Sequence, residues 1–312
     1  MRVSRYCTDD KAQWDAFVHS SKNGTFILLR DYMEYHADRF RDHSLLVRDG
    51  AGNLMALLPA NEEGSVLVSH AGLTYAGIIS DASMTTPKML DVFKALQDYM
   101  KRSSVTQLRY KTVPHVYHGS PAEEDRYALF VHGAGLYRRD VLSIIASSGR
   151  LPFHRMRSRR IAKARKGSLA TVTSTDFAAF WPLLEENLRR AHDAAPVHTL
   201  DEIRLLHRRF PDNIRLHLCF EQDEIVAGAV IYDTPWVARA QYIGSSPRGR
   251  SMGALDLLFS ELIERHYADR RYFDFGSSHL GGGGTLNVGL IEQKEGFGAR
   301  AIVQDFYELP VQ

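Results

Sequence analysis

Val237-Ala238-Arg239-Ala240-Gln241-Tyr242-Ile243, followed at once by Gly244-Ser245-Ser246-Pro247-Arg248-Gly249-Arg250, is the stretch on which the fold turns. The first seven residues are mostly apolar or aromatic and read as a strand. The next seven are Gly, Ser, Pro and Arg and read as a loop. Beyond them Leu255, Leu258, Phe259, Leu262 and Ile263 recur at helical spacing, which predicts an amphipathic helix over Gly253–Tyr267. Tyr272–Gly276 then reads as another strand. A loop between strand and helix suits an anion, because the first amides of a helix are unpaired and its dipole favours negative charge. Arg248 and Arg250 add fixed positive charge, and Gly253 gives the turn freedom. The phosphate-loop pattern GxxxxGK[ST] and the dinucleotide pattern GxGxxG are absent.

Working outward, Ile214–Phe220 and Ile225–Tyr232 form strands around the polar turn Glu221–Glu224, and Asp176–Arg190 carries Phe177, Phe180, Trp181, Leu184 and Leu188 on one stripe. Ala301–Leu309 is a last strand. The first half repeats the order. Helices are expected at Asp10–Ser20 and Tyr32–Phe40, strands at Ser44–Val47, Leu54–Pro59 and Val66–His70, a long helix at Thr86–Arg102 and a strand at Gln107–Thr112. The shared skeleton is an internal duplication. It divides the 312 residues into 1–148 and 149–312, the second part opening with a basic helix at 154–166. The fold class is α/β with mixed, largely antiparallel sheets flanked by helices.

Composition narrows the function classes. Hydrophobic residues make up 44% and charged residues 24%, an ordinary globular balance, and the net charge of +2 gives no bulk preference for polyanions. Cys7 and Cys219 are the only cysteines, so neither a disulfide framework nor a zinc ribbon is supported, and a reducing, cytoplasmic setting is expected. No apolar run has the length of a membrane span, and the charged N-terminus does not read as a signal peptide. The 14 histidines form no HExxH, and no GxSxG is present, so neither metal ligation nor an activated serine is expected.

Two further segments carry candidate chemistry. His154–Lys166 holds seven Lys or Arg in thirteen residues, with Arg155, Arg159, Lys163 and Lys166 on one helical stripe that would attract a polyanion. The C-terminal stretch places Asp274 at a strand end, four consecutive glycines at Gly281–Gly284 that suit a mobile loop over a cleft, and Lys294 in a Gly-rich turn. Lys294 is positioned to neutralise charge developing on a carbonyl oxygen or a leaving phosphate, and Asp274 to take a proton from an amine.

Taken together, Ala240–Ser246, Tyr272–Ser278, Leu286–Leu290 and Gln293–Arg300, with Asn23–Phe26 and Ser69–Gly77 in the first half, resemble the GNAT superfamily of N-acyltransferases, in the branch near the Fem-type peptidoglycan aminoacyl transferases. The resemblance spans nearly the whole chain. It implies tandem GNAT-like domains and transfer of an acetyl, acyl or aminoacyl group to an amine, with a cell-wall or nucleotide-linked precursor as acceptor. It implies acyl-CoA or aminoacyl-tRNA as donor substrate, no tightly bound cofactor, and tRNA as a partner. It assigns the transfer step to Lys294, although Gln293 stands where the family usually has an aromatic residue. It gives phosphate binding to Arg155 or Arg159, and substrate contacts to Tyr75, Tyr242, Ser245, Ser277 and Asn287. Two features depart from the pattern. No heptad arm of the kind that tRNA-binding members carry is present, and Leu255 stands where the pyrophosphate loop [QR]xxGx[GA] has Gly or Ala. A ligand- or RNA-binding protein without catalysis on the same scaffold is the alternative.

Overall fold

In the computed structural model, residues 1–192, 194–280 and 284–311 are described. The contacts group Met1–Asp140 with Val303–Gln312 as one unit and Val141–Ile302 as the other. The sequence division at 148/149 leaves the last strand in the second part; here residues 303–312 group with the first unit, because the final strand pairs with Gln107–Lys111.

The first unit runs β1 (Arg2–Arg5), α1 (Lys11–Ser20), α2 (Arg30–Met33), β2 (Leu45–Arg48), β3 (Leu54–Leu58), β4 (Asn61–Glu63), β5 (Val66–Val68), β6 (Ile79–Ser80), α3 (Thr86–Arg102), β7 (Gln107–Lys111) and α4 (Glu124–Val131). The helix expected over Tyr32–Phe40 is instead the short α2 followed by one tight turn at Glu34–His36. β1, β2, β3 and β6 pair antiparallel in that order. β4 pairs antiparallel with β5, and β5 pairs parallel with β7. A parallel pair needs a crossover, and α3 supplies it by laying Met89, Val92, Phe93, Leu96 and Met100 into the core with Leu67, Leu108 and Leu309.

The strand β8 (Gly135–Ala146) leads into the second unit, which continues through α5 (Arg155–Arg165), β9 (Leu169–Ser174), α6 (Phe177–His192), α7 (Leu200–Arg209), β10 (Ile214–Glu221), β11 (Glu224–Asp233), β12 (Val237–Ser245), α8 (Pro247–Met252), α9 (Ala254–Glu261), β13 (Tyr272–Ser277), β14 (His279–Leu280), β15 (Thr285–Leu286) and α10 (Val288–Glu295); β16 (Arg300–Pro310) follows and from Val303 onward is grouped with the first unit. β9 to β12 form an antiparallel meander. β12 pairs parallel with β13, and β13 antiparallel with the end of β8.

Three details of this unit differ from the sequence reading. The loop expected at Gly244–Arg250 is the end of β12 plus a short helix, α8. The long helix is divided at Gly253, whose left-handed φ of 77° separates α8 from α9, and it ends in a wide π turn at Leu262–His266. Lys294 lies on a helix rather than in a turn: Asn287 caps α10 by accepting a hydrogen bond from the Leu290 amide at 3.0 Å. The reading of the glycine run as a mobile loop falls on Gly281, Gly282 and Gly283, which lie outside the described residues.

Candidate functional site

The parallel pair β12–β13 makes the site. Its register joins Val237 to Tyr272, Ala238 to Phe273 and Arg239 to Asp274, and there the pairing stops although both strands continue. A bulge in the β11–β12 ladder at Val230/Ile231 bends β12 at the same level. Past the last pair the two strand ends border a cleft of about 620 Å³, within the size range of small-molecule sites. Successive β12 side chains point to opposite faces. Tyr242 packs edge-on against Trp181 of α6, while Ile243 packs on the core that includes α9. The cleft is therefore walled by Leu184 and Leu188 of α6, by Phe259 of α9, and by Leu290 and Lys294 of α10, with Phe275 and Phe297 beneath.

Lys294 is the best-defined polar group in it. The side chain is buried, and its ammonium donates to the carbonyl oxygens of Gly276 at 3.1 Å and Ser277 at 2.7 Å. An ammonium carries three N–H bonds, so one is left for a ligand. Burial pushes its pKa from 10.5 down to about 8; Asp274 opposes that shift and Arg239 adds to it.

Asp274 lies beneath the site, fully buried. One oxygen accepts from the Gly276 amide at 2.6 Å, and the other pairs with Arg239 at 2.5 Å. Gly276 takes a left-handed φ of 70°, and a Cβ there would lie 3.1 Å from the Arg239 guanidinium. Asp274 thus fixes the turn whose carbonyls hold Lys294. With both oxygens engaged it is placed to position that turn rather than to take a proton from a substrate.

Of the remaining sequence candidates, Tyr242, Ser245, Arg250, Ser277 and Asn287 line the same cleft. The Tyr242 hydroxyl lies 2.5 Å from His198 Nδ1 and accepts from the His198 amide at 3.1 Å. Arg250 donates to the Ser245 carbonyl at 2.6 Å. Arg248 instead turns away to pair with Glu221. The Gly249 amide, at the expected anion loop, is taken by Ser246 Oγ at 3.0 Å. Gly249 has no room for a side chain, because a Cβ would lie 2.1 Å from the Val226 carbonyl. Gly253 acts as the hinge between helices. Tyr75 belongs to the first unit, where its hydroxyl lies 3.0 Å from Thr25 Oγ1. Arg155 and Arg159 are exposed on α5 and are not among the residues lining the cleft.

Sequence reasoning missed Gln241, Asn187 and the aromatic floor of Phe259, Phe275 and Phe297, and it missed Arg157. Arg157 lies over the Phe297 ring at 4.1 Å, donates to the Gln293 carbonyl at 2.8 Å and pairs with the buried Asp256. It braces α10, and so Lys294, against α5 and α9. Among the described residues the lining includes two cations, Arg250 and Lys294, and no carboxylate. Such a cleft favours an anionic or electron-rich ligand. Among the described residues no group of three or more His, Cys, Asp or Glu is placed to hold a metal ion, and no helix is long and apolar enough to cross a membrane.

Residues 153–283, from just before α5 to just after β14, match the family model of the acetyltransferase (GNAT) domain. That match falls within the second unit. No curated protein matches the chain in sequence. Solved structures share its fold along almost its entire length. FemX superposes with a TM-score of 0.68 at 12% identity, covering 99% of this chain and 97% of that one. The C-terminal domain of a putative lysylphosphatidylglycerol synthetase from Agrobacterium fabrum gives 0.61 at 10% identity, covering 98% and 93%. A tandem GNAT protein from the clavulanic acid biosynthesis pathway gives 0.56 at 12% identity, covering 100% and 98%. The architecture of mixed sheets flanked by helices is thus one that this chain shares with FemX and with a tandem GNAT protein.

Proposed function

We propose that this chain transfers an acyl or aminoacyl group to an amine, in the cleft between the splayed ends of β12 and β13. The observation that carries the reading is Lys294: a buried ammonium fixed by two backbone carbonyls, with one N–H left for the cleft. The neutral amine attacks the donor carbonyl carbon, and the carbonyl electrons move onto oxygen. Lys294 donates its remaining N–H to that oxyanion, a preorganised contact in a site that Phe259, Phe275 and Phe297 help to keep dry. When the carbonyl re-forms, the bond to the donor's sulfur or oxygen breaks, and the proton released by the amine ends on that leaving group. Arg250 binds negative charge on donor or acceptor, and Asp274 with Arg239 holds the turn in place.

The donor we propose is an acyl-CoA or an aminoacyl-tRNA, and the acceptor an amine on a cell-wall or other phosphate-bearing precursor. FemX and a lysylphosphatidylglycerol synthetase domain, which share this fold, make aminoacyl transfer the chemistry to test first. The experiment incubates the chain with acyl-CoAs or charged tRNA and a panel of amines, and follows donor consumption and product mass. A donor is expected to stabilise the fold and to be consumed only when an amine is present. Lys294→Met is expected to keep donor binding and to lose about 10²–10³-fold in rate, the scale for removing one oxyanion donor. Stabilisation by a donor without any product would favour binding alone, and an unchanged rate in the variant would remove Lys294 from the chemistry.

A further inference from the structure

The seven cations of the α5 segment fall into two sets. Arg157 and Arg160 pair with the buried Asp256 of α9, the latter at 2.9 Å, and Arg165 reaches Glu261 at 3.2 Å and Glu264 at 3.3 Å. Ile161 and Ala164 are buried between them and fix the helix to the unit. The second set is Arg155, Arg159, Lys163 and Lys166. All four are exposed, and among the described residues none makes an ion pair or a side-chain hydrogen bond. At about 100° per residue they fall within roughly a quarter of the helix circumference, along a ridge about 16 Å long. Met156, 67% exposed, lies at the edge of this ridge.

Like charges four residues apart, as in Arg155/Arg159 and Arg159/Lys163, oppose helix formation. The acids of α9 approach the flanks of α5 and leave its crest unneutralised. The crest is therefore a rigid, preformed row of cations with an exposed thioether and no aromatic side chain on which a base could stack. A planar anionic surface complements such a row along its whole length.

We propose that the crest of α5 docks this chain on an anionic phospholipid surface, with Arg155, Arg159, Lys163 and Lys166 among the headgroups. The inference stands apart from the transfer chemistry and does not depend on it. It is tested with the full chain, by co-sedimentation with phosphatidylcholine vesicles that either contain or lack phosphatidylglycerol. Binding is expected only to the anionic vesicles and should weaken as salt is raised. Each Gln substitution on the crest should lower partitioning about fivefold, and R155Q/R159Q/K163Q/K166Q together by several hundredfold. Lys94, Lys101 and Arg102, exposed on α3, changed together to Gln, should leave it close to the parent value. The four crest residues touch no core and their like charges oppose the helix, so the thermal melt should not fall. The proposal is overturned if the parent ignores anionic vesicles at low salt, or if the crest variant binds them as well as the parent. It is equally overturned if the chain passes over vesicles but retains bulk tRNA on a filter through the same four residues.

Discussion

Two lysines, one in each unit, sit in the same kind of setting. Lys294 donates to the carbonyls of Gly276 and Ser277; Lys111, at the end of β7, donates to that of Leu73 at 2.5 Å and reaches toward that of His70 at 3.5 Å. Burial brings both from 10.5 down to about 8. In both units the strand after the long amphipathic helix pairs parallel with an earlier strand. The difference lies in those strand pairs. β5 is paired with β7 along all of its length, Val66 to Val68, whereas β12 leaves β13 after three residues and continues for six more. A desolvated lysine is thus not sufficient for a site. What distinguishes Lys294 is that the strands beside it part and open a cleft onto its ammonium, while Lys111 ties down the Ser69–Leu73 loop.

The comparison extends to the carboxylates. Asp274 and Asp305 have fully buried side chains, the first paired with Arg239 and the second with Arg126 and Arg139. Replacing Asp274 by Ala strands the largely buried Arg239 and should cost about 3–5 kcal/mol in urea unfolding, whereas replacing Asp305 leaves Arg126 and Arg139, 33% and 49% exposed, and should cost less. Asp274→Ala should also lower transfer under conditions where the chain stays folded, because the turn holding Lys294 loosens. Asp305→Ala should not. Equal losses of activity in the two variants would break the distinction.

The pH dependence of stability tests the burial of the lysines. Each has its folded pKa below its unfolded value, so below pH 8 the unfolded chain favours the proton that the folded chain resists. That cost is relieved as pH rises from about 8 to 10.5. The stability of the parent relative to Lys294→Met should therefore improve over that window by up to about 3 kcal/mol. Lys111→Met should show the same sign. A flat difference for Lys294 would mean that its ammonium is solvated.

The smallest expected effect concerns two tyrosines. Tyr242→Phe loses the contacts with His198, and Tyr75→Phe loses the one with Thr25. Each should cost about 1 kcal/mol of stability. Only Tyr242→Phe should alter KM, because Tyr242 lines the cleft. A KM effect from Tyr75→Phe of similar size would contradict the assignment of the chemistry to the second unit's cleft.

Much of the fold was legible because periodicity survives in a single sequence. The helix Thr86–Arg102 has the same bounds in both readings, and the hairpin around Glu221–Glu224 is placed correctly. α7 was missed although Thr199 and Glu202 form a capping box readable as T-x-x-E. α10 was missed because Gly289, Gly296 and Gly298 suggested a turn, while the decisive cap at Asn287 is a single residue. Lys294 and five of the cleft residues were legible from their positions near strand ends and turns. Arg157 was not, because its role depends on Asp256, 99 residues away. The split of the basic segment into a paired face and a free crest likewise required knowing where α9 lies.

The most direct measurement compares Lys294→Met with Lys111→Met for transfer of the donor's acyl group to an amine, both variants checked by thermal melt. Lys294→Met should lose about 10²–10³-fold and Lys111→Met less than about threefold. Equal rates in the two variants, or a larger loss at Lys111, would contradict the assignment of the chemistry to the splayed cleft of the second unit.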